Sequence, residues 1–419
     1  MLNKPLSILI GYLLCCAPAW AQTTKIDSSE MVTLRIDPEA SRGATVSQVF
    51  SEVKFIPLET TKESLFGSIN QLKVTKDCYI IHDYDTKSVL IFYKDGKFRA
   101  KVNSSKMDAD ADEKEKQVFY GFNLIKHNDD FMIRISSGKN QFFFDLDGKL
   151  VKKSPVNRDK EIEDRYIRYA DSTTIIAPYY ISKKDKDSTN YNLAILNKDK
   201  EIALYFPFAK DSYKTEQFIG SGNPITDSGI PNELLYINYY DYSIYKIKPK
   251  ALSLAYRIIF PASISIPSNF MAIPEYKNKR VEYFEKNKDQ VYGLSNAYII
   301  GDNLYFKANS WGFSQDKKNS LIYNLKTGDL TSIKNIEPDS LSQFLPVTDS
   351  GSYYDFANYG FHTFDNGYFY TSYSSLALFS FKDLNAGKNR TYNPVLTKYF
   401  ETQNKKSNPV IIQLKPKQN

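Results

Sequence analysis

The stretch Cys78-Tyr79-Ile80-Ile81-His82-Asp83, Tyr84-Asp85-Thr86-Lys87, Ser88-Val89-Leu90-Ile91-Phe92-Tyr93, Lys94-Asp95-Gly96-Lys97-Phe98 reads as two β-strands joined by a short polar turn and closed by an Asp-Gly-Lys hairpin turn. β-branched and aromatic residues fill the strands, and Gly96 supplies the positive φ that a tight turn needs. A second copy ends Gln141-Phe142-Phe143-Phe144-Asp145-Leu146-Asp147-Gly148-Lys149-Leu150, so its turn glycine follows the first by 148 − 96 = 52 residues. A strand-rich unit repeating at that interval predicts an all-β fold, the blades of a β-propeller.

Outward from these units, short runs of Ile, Val, Tyr and Phe bounded by Asp, Asn, Gly and Lys mark six candidate blades. The first spans Ile69 to Val102, the second Phe122 to Lys152 and the third Tyr166 to Phe208. The fourth holds Leu234 to Ile237 and Ser243 to Ile247, and the fifth Asn303 to Lys307 and Leu321 to Leu325. The sixth holds Gly367 to Thr371 and Leu376 to Phe381, ahead of a turn at Lys382-Asp383-Leu384. Turn positions near 96, 148, 199, 249, 328 and 383 keep the period except in the fourth interval, which places an insertion at 261–297 between blades 4 and 5. Within it, Glu275 to Lys286 lacks Gly and Pro and predicts a short amphipathic helix, either a lid or a helix packed on the rim. The charged run Lys101 to Lys116 predicts a mobile loop. Val53 to Leu58 and Pro409 to Leu414 are strand-like and lie outside the six units; one or both are expected to complete a terminal blade, because an open ring would leave strand edges unpaired.

The N-terminus has the three regions of a secretory signal: Lys4, an apolar run from Leu6 to Cys16, and Ala19-Trp20-Ala21 before Gln22. The predicted organisation is a signal peptide at 1–21, an N-terminal extension at 22–44 and a single propeller domain at 45–419. The apolar run is too short for a hydrocarbon core of ~30 Å, so no transmembrane segment is expected in the mature chain. Cys15 and Cys16 follow bulky residues, which disfavours lipid anchoring at the surface and favours soluble export to a periplasmic or extracellular location. Cys78 is then the single remaining cysteine, so no intramolecular disulfide forms and stability rests on burial. A hydrophobic content of 42%, with 15% aromatic residues, over 419 residues supplies a core of that size. The net charge of +7 is dispersed, which does not point to nucleic acid.

Val53-Lys54-Phe55-Ile56-Pro57-Leu58-Glu59-Thr60, the first blade through Asp95-Gly96-Lys97, and Asn408-Pro409-Val410-Ile411-Ile412-Gln413-Leu414-Lys415 together resemble the secreted six-bladed β-propellers of Bacteroidetes, and the first blade is similar to an NHL repeat. The resemblance implies four-stranded antiparallel blades running from an inner to an outer strand. It also implies that each second-to-third loop shares a face with the connection to the next blade, the face where propellers bind ligands. The candidate binding residues on those loops are Tyr84, Asp85, Tyr179, Tyr180, Tyr239, Tyr240, Asp241, Trp311, Phe313 and Tyr373. Flat rings flanked by polar groups suit sugar faces or peptides. Tyrosine is equally an abundant strand residue of this chain, and the same rings would serve to plug gaps between blades.

Catalytic signatures are missing. His82, His127 and His362 fall in separate blades with no metal-ligand spacing, and His82 is expected to hydrogen-bond within its blade. Asp108-Ala109-Asp110-Ala111-Asp112 begins like a calcium loop but has Glu113 where glycine is required. Asp83 is expected to anchor its turn by accepting backbone hydrogen bonds. Neither a metal nor a cofactor is expected. The function expected is non-catalytic binding of an extracellular glycan, peptide or protein partner; the alternatives are a hydrolase or lyase acting on oligosaccharides or peptides through an acid such as Asp85 or Asp241, and a structural scaffold of a surface assembly.

Overall fold

The computed structural model describes residues 25–418 apart from 105–106, 108–118, 128–129, 157–165, 169–171, 183–188, 199, 210–217, 221–223, 313–315, 349–355 and 389. The predicted signal, the calcium-like run and Phe313 lie outside the described residues, as does most of the charged run. The described ends of that run are not loose: Lys101 belongs to the strand Phe98–Asn103, and Met107 is buried.

Six sheets form the blades of a propeller, each built on four antiparallel strands. From inner to outer strand, blade 1 is Gln71–Val74, Cys78–Asp83, Ser88–Tyr93 and Phe98–Asn103, and blade 2 is Asn123–His127, Asp130–Ser137, Asn140–Phe144 and Leu150–Pro155. Blade 3 is Tyr166–Arg168, a second strand split into Thr173–Ile176 and Tyr180–Ile181, then Thr189–Asn197 and Lys200–Ala209. Blade 4 is Ile225–Asp227, Leu234–Tyr236, Ser243–Lys248 and Ala251–Ile259; blade 5 is Val291–Ile300, Asn303–Ser310, Ser320–Asn324 and Leu330–Glu337. The predicted insertion therefore ends before Val291, and residues 291–297 belong to the inner strand of blade 5.

Blade 6 differs from its sequence-based assignment. Thr363–Asp365 and Tyr368–Tyr373 supply its first two strands, but Ser375–Leu384 is an α-helix, not a third strand. The hydroxyl of Ser374 accepts the Ala377 amide and caps that helix, and Leu and Ala favour it locally. The third strand is Val410–Pro416 and the fourth is Phe50–Pro57, paired Val410↔Pro57 through Leu414↔Val53. Both chain ends thus close the ring, and the edge each would leave alone is covered by the other.

The segment before Phe50 runs around the outside of the ring. Val32–Arg35 pairs in parallel with the outer strand of blade 4, and Arg42–Thr45 with that of blade 5, before the chain enters blade 6. It spans three consecutive blades and covers two outer edges. Gly43 permits the closest approach: a Cβ there would lie 2.7 Å from the Asn335 carbonyl oxygen.

Period-two burial places one apolar cluster between each pair of neighbours seen to pack. Ile80, Ile91, Ile133 and Phe142 join blades 1 and 2; Ile175, Leu193, Tyr236 and Ile247 join 3 and 4; Leu235, Ile244, Leu304 and Phe306 join 4 and 5. Tyr305, Ile322, Phe369 and Ile412 join 5 and 6, and Tyr79, Leu90, Tyr370 and Ile411 join 6 and 1. These contacts are long-range in sequence and fix the ring by burial; among the described residues the one cysteine, Cys78, is free.

Candidate functional site

Strand order puts the second-to-third loops and the blade-to-blade connections at one end of the ring, the upper face. All the longer helices sit there. Arg280–Lys286 lies between blades 4 and 5, and Ser375–Leu384 and Pro394–Thr402 lie between the second and third strands of blade 6.

On blade 1, Asp83 is fully buried and does what its position predicts. Its carboxylate accepts the amides of Gly67, Ser68 and Thr86 at 3.4, 3.3 and 3.3 Å and the Thr86 hydroxyl at 2.6 Å, tying the loop from blade 6 to the Tyr84–Lys87 turn. His82 does not follow its prediction. Among the described residues neither ring nitrogen has a hydrogen-bond partner within its blade; the ring instead lies 5.1 Å from Phe119 of the connection to blade 2, and burial pushes its pKa down against the pull of Asp83 and the Phe119 backbone. Tyr84 stacks on Tyr120 at 5.8 Å, and Tyr120 is 81% exposed. Asp85 is exposed beside them.

Blades 3 and 4 bring two predicted residues together. Tyr179, at φ 65° in the break of the second strand, lies 5.7 Å from Phe208 and 6.1 Å from Phe218. Phe218, in the connection to blade 4, lies 5.3 Å from Phe208 and 5.0 Å from Tyr239. The four rings are each partly exposed and form one aromatic patch. Tyr239 and Asn238 also line a small cleft of about 40 Å³ whose far wall is Tyr292 and Gly293 of blade 5. Gly220 sits against the Tyr239 ring so closely that a Cβ would lie 2.7 Å from its Cε1.

Other predicted residues are structural in their surroundings. Tyr240 accepts the Ile219 amide at 3.1 Å and packs on Phe270 and Phe284, and Trp311 stacks on Phe284 at 6.5 Å. These rings form a satellite core under the helix Arg280–Lys286, which buries Arg280 and Phe284 one turn apart and exposes the Glu282–Lys286 ion pair on its other side. The Arg280 guanidinium is fully buried, donates to the Phe270 carbonyl at 2.8 Å, and lies 4.9 Å from the Phe270 ring centre. The helix is therefore packed on the rim. The Asp241 carboxylate accepts the Ser243 amide and the Tyr245 hydroxyl, which closes its turn. Tyr180 is buried and donates to Glu201 at 2.9 Å. Tyr373 is fully buried in the last residue of a strand, between Phe55 and Phe381.

Among the described residues no three His, Cys, Asp or Glu side chains come together as metal ligands. His362 shares a hydrogen bond with the Ser372 hydroxyl at 2.8 Å, and its pKa is lowered by burial. His127 ends the inner strand of blade 2. Sequence reasoning missed Phe208, Phe218 and Tyr120, which stand on an outer strand and on blade-to-blade connections where no repeat position marks them.

Residues 32–415 match a family described as "Domain of unknown function (DUF4934)". Among solved structures, a candidate exported protein of Bacteroides fragilis is similar at 13% identity and a TM-score of 0.58, over 92% of this chain and 99% of that one. A DUF4221 family member from Bacteroides vulgatus aligns at 10% identity and a TM-score of 0.41, over 88% and 98%. No curated protein matches the sequence. Among the described residues no helix is long and apolar enough to cross a membrane.

Proposed function

The chain belongs to the DUF4934 family, and from that premise and the upper face we propose that it is an exported, non-catalytic propeller that binds an extracellular glycan on the aromatic patch of blades 3 and 4. One observation carries this: Tyr179, Phe208, Phe218 and Tyr239 form a continuous, partly exposed run of rings beside a polar-edged cleft. Ring surface left open to water gains on being covered, and the apolar face of a pyranose covers it while its hydroxyls reach side chains such as Asn238. Loops held by rigid blades keep such a surface preformed. The secretory pattern of residues 1–21 and the likeness to a candidate exported protein support export. The engagement of Asp241 within its own turn weighs against that residue as a catalytic acid.

The test is a glycan array probed with the wild-type chain and with Phe218→Ala and Tyr239→Ala. A glycan retained by wild type and lost by both variants supports the patch. Equal binding by all three removes it, and release of reducing ends from the bound glycan overturns the non-catalytic assignment.

A further inference from the structure

A second cavity, of about 360 Å³, opens at the opposite end of the ring, between blade 5 and the segments that flank the closing strands of blade 6. Its walls come from the chain segments that close the molecule: Arg42 and Gln48 from the N-terminal strap, Lys417 from the C-terminal tail, and Tyr305 and Thr331 from blade 5. The volume is within the range that holds a monosaccharide-sized ligand.

The chemistry of the lining is specific. Arg42 and Lys417 make no ion pair among the described residues, and the one carboxylate in the wall, Asp329, accepts the Thr327 hydroxyl at 2.6 Å. Two cations against one carboxylate leave the cleft with a net charge of +1. Gln48 uses its carbonyl oxygen to accept the Thr45 amide at 2.7 Å, which leaves its NH₂ as a donor toward the cleft. Tyr305 is 2% exposed, and its hydroxyl makes no hydrogen bond among the described residues. Desolvation raises its pKa well above the ordinary phenol value, so at neutral pH it is a neutral donor. As a lining residue of the cleft, it offers that donor to a ligand oxygen at this wall. Asn324 donates to Asn303 at 3.0 Å and stiffens the floor between them.

We propose that this cleft is a binding site for a carboxylate-bearing sugar, with Arg42 and Lys417 on the carboxylate and Gln48, Thr331 and Tyr305 on the hydroxyls. A simple inorganic anion would use the two cations and leave the neutral groups idle; a neutral sugar would use the neutral groups and leave both cations unpaired. A hexuronic acid uses both sets. The site is separate from the aromatic patch and stands or falls independently of it.

Isothermal titration of the full chain with sodium D-glucuronate, D-glucose and inorganic phosphate tests the proposal. Glucuronate is expected to bind at least tenfold more tightly than either of the others. Arg42→Ala and Lys417→Ala are each expected to weaken it at least fivefold, and Asp329→Asn to tighten it. Tyr305→Phe is expected to weaken glucuronate while leaving its salt dependence unchanged; should that variant not fold, Thr331→Val takes its place. Absence of glucuronate binding to wild type, phosphate binding as tight as glucuronate, or full binding by both cation variants would overturn the site.

Discussion

Phe284→Ala removes the keystone of the upper-face satellite core. The Phe284 ring is fully buried and lies 5.3 Å from Phe270, 5.3 Å from Tyr283, 5.6 Å from Tyr292, 6.0 Å from Tyr240 and 6.5 Å from Trp311. Losing a buried phenyl and leaving its cavity costs about 3–5 kcal/mol. The aromatic contacts place this site toward the upper part of that range, since each such pair adds about 0.5–1.5 kcal/mol beyond area. Trp311 is a built-in reporter: the chain has two tryptophans, and the other, Trp20, lies in the predicted signal. Urea unfolding followed by tryptophan emission and by far-ultraviolet circular dichroism separates local from global loss. The expected outcome is a red-shifted Trp311 emission before denaturant is added and an earlier emission transition, while Glu285→Ala, on the exposed side of the same helix, changes neither. A Phe284→Ala protein with wild-type emission and midpoint would refute the packed-helix account and restore the mobile lid.

Three further outcomes follow from the geometry. Gly220→Val sets a side chain into the Tyr239 ring, so glycan binding at the patch should fall at least tenfold while the thermal midpoint stays near wild type, measured by titration and calorimetry. For His82 the native pKa is depressed below its ordinary 6.5, so the unfolded chain takes up the proton first as pH falls. Stability is then full above that value and is lost below it by up to about 1.4 kcal/mol per pH unit, until the native ring itself protonates. Urea midpoints at pH 7.5 and 5.5 should differ more for wild type than for His82→Leu; an identical difference would refute the assignment. Gly43→Val drives a side chain into the Asn335 backbone, and hydrogen exchange at residues 32–45 should rise at least tenfold while the blade 1 strands remain protected.

What the sequence made legible was what depends on local chemistry. Asp83, Gly96 and Gly148 announce their turns because each sits where a specific hydrogen bond or a positive φ is required. What it hid depends on distant partners. Leu376 to Phe381 alternates like a strand, yet the place it would occupy is taken by Val410–Pro416, and a Ser374 cap with good helix formers sends it into a helix. The strap before Phe50 forms strands only because blades 4 and 5 offer free outer edges. Tyr239 and Tyr240 are adjacent and chemically identical, but one ring faces Phe218 at the surface and the other goes under the inserted helix. Period and composition cannot tell those two apart; the insertion that covers one of them does.

The most direct test of the binding face is a hydrogen-exchange footprint of the wild-type chain saturated with the tightest glycan from the array. Protection confined to 179–181, 218–220 and 237–240 is the predicted result. Protection elsewhere, with those three segments unchanged, would contradict it.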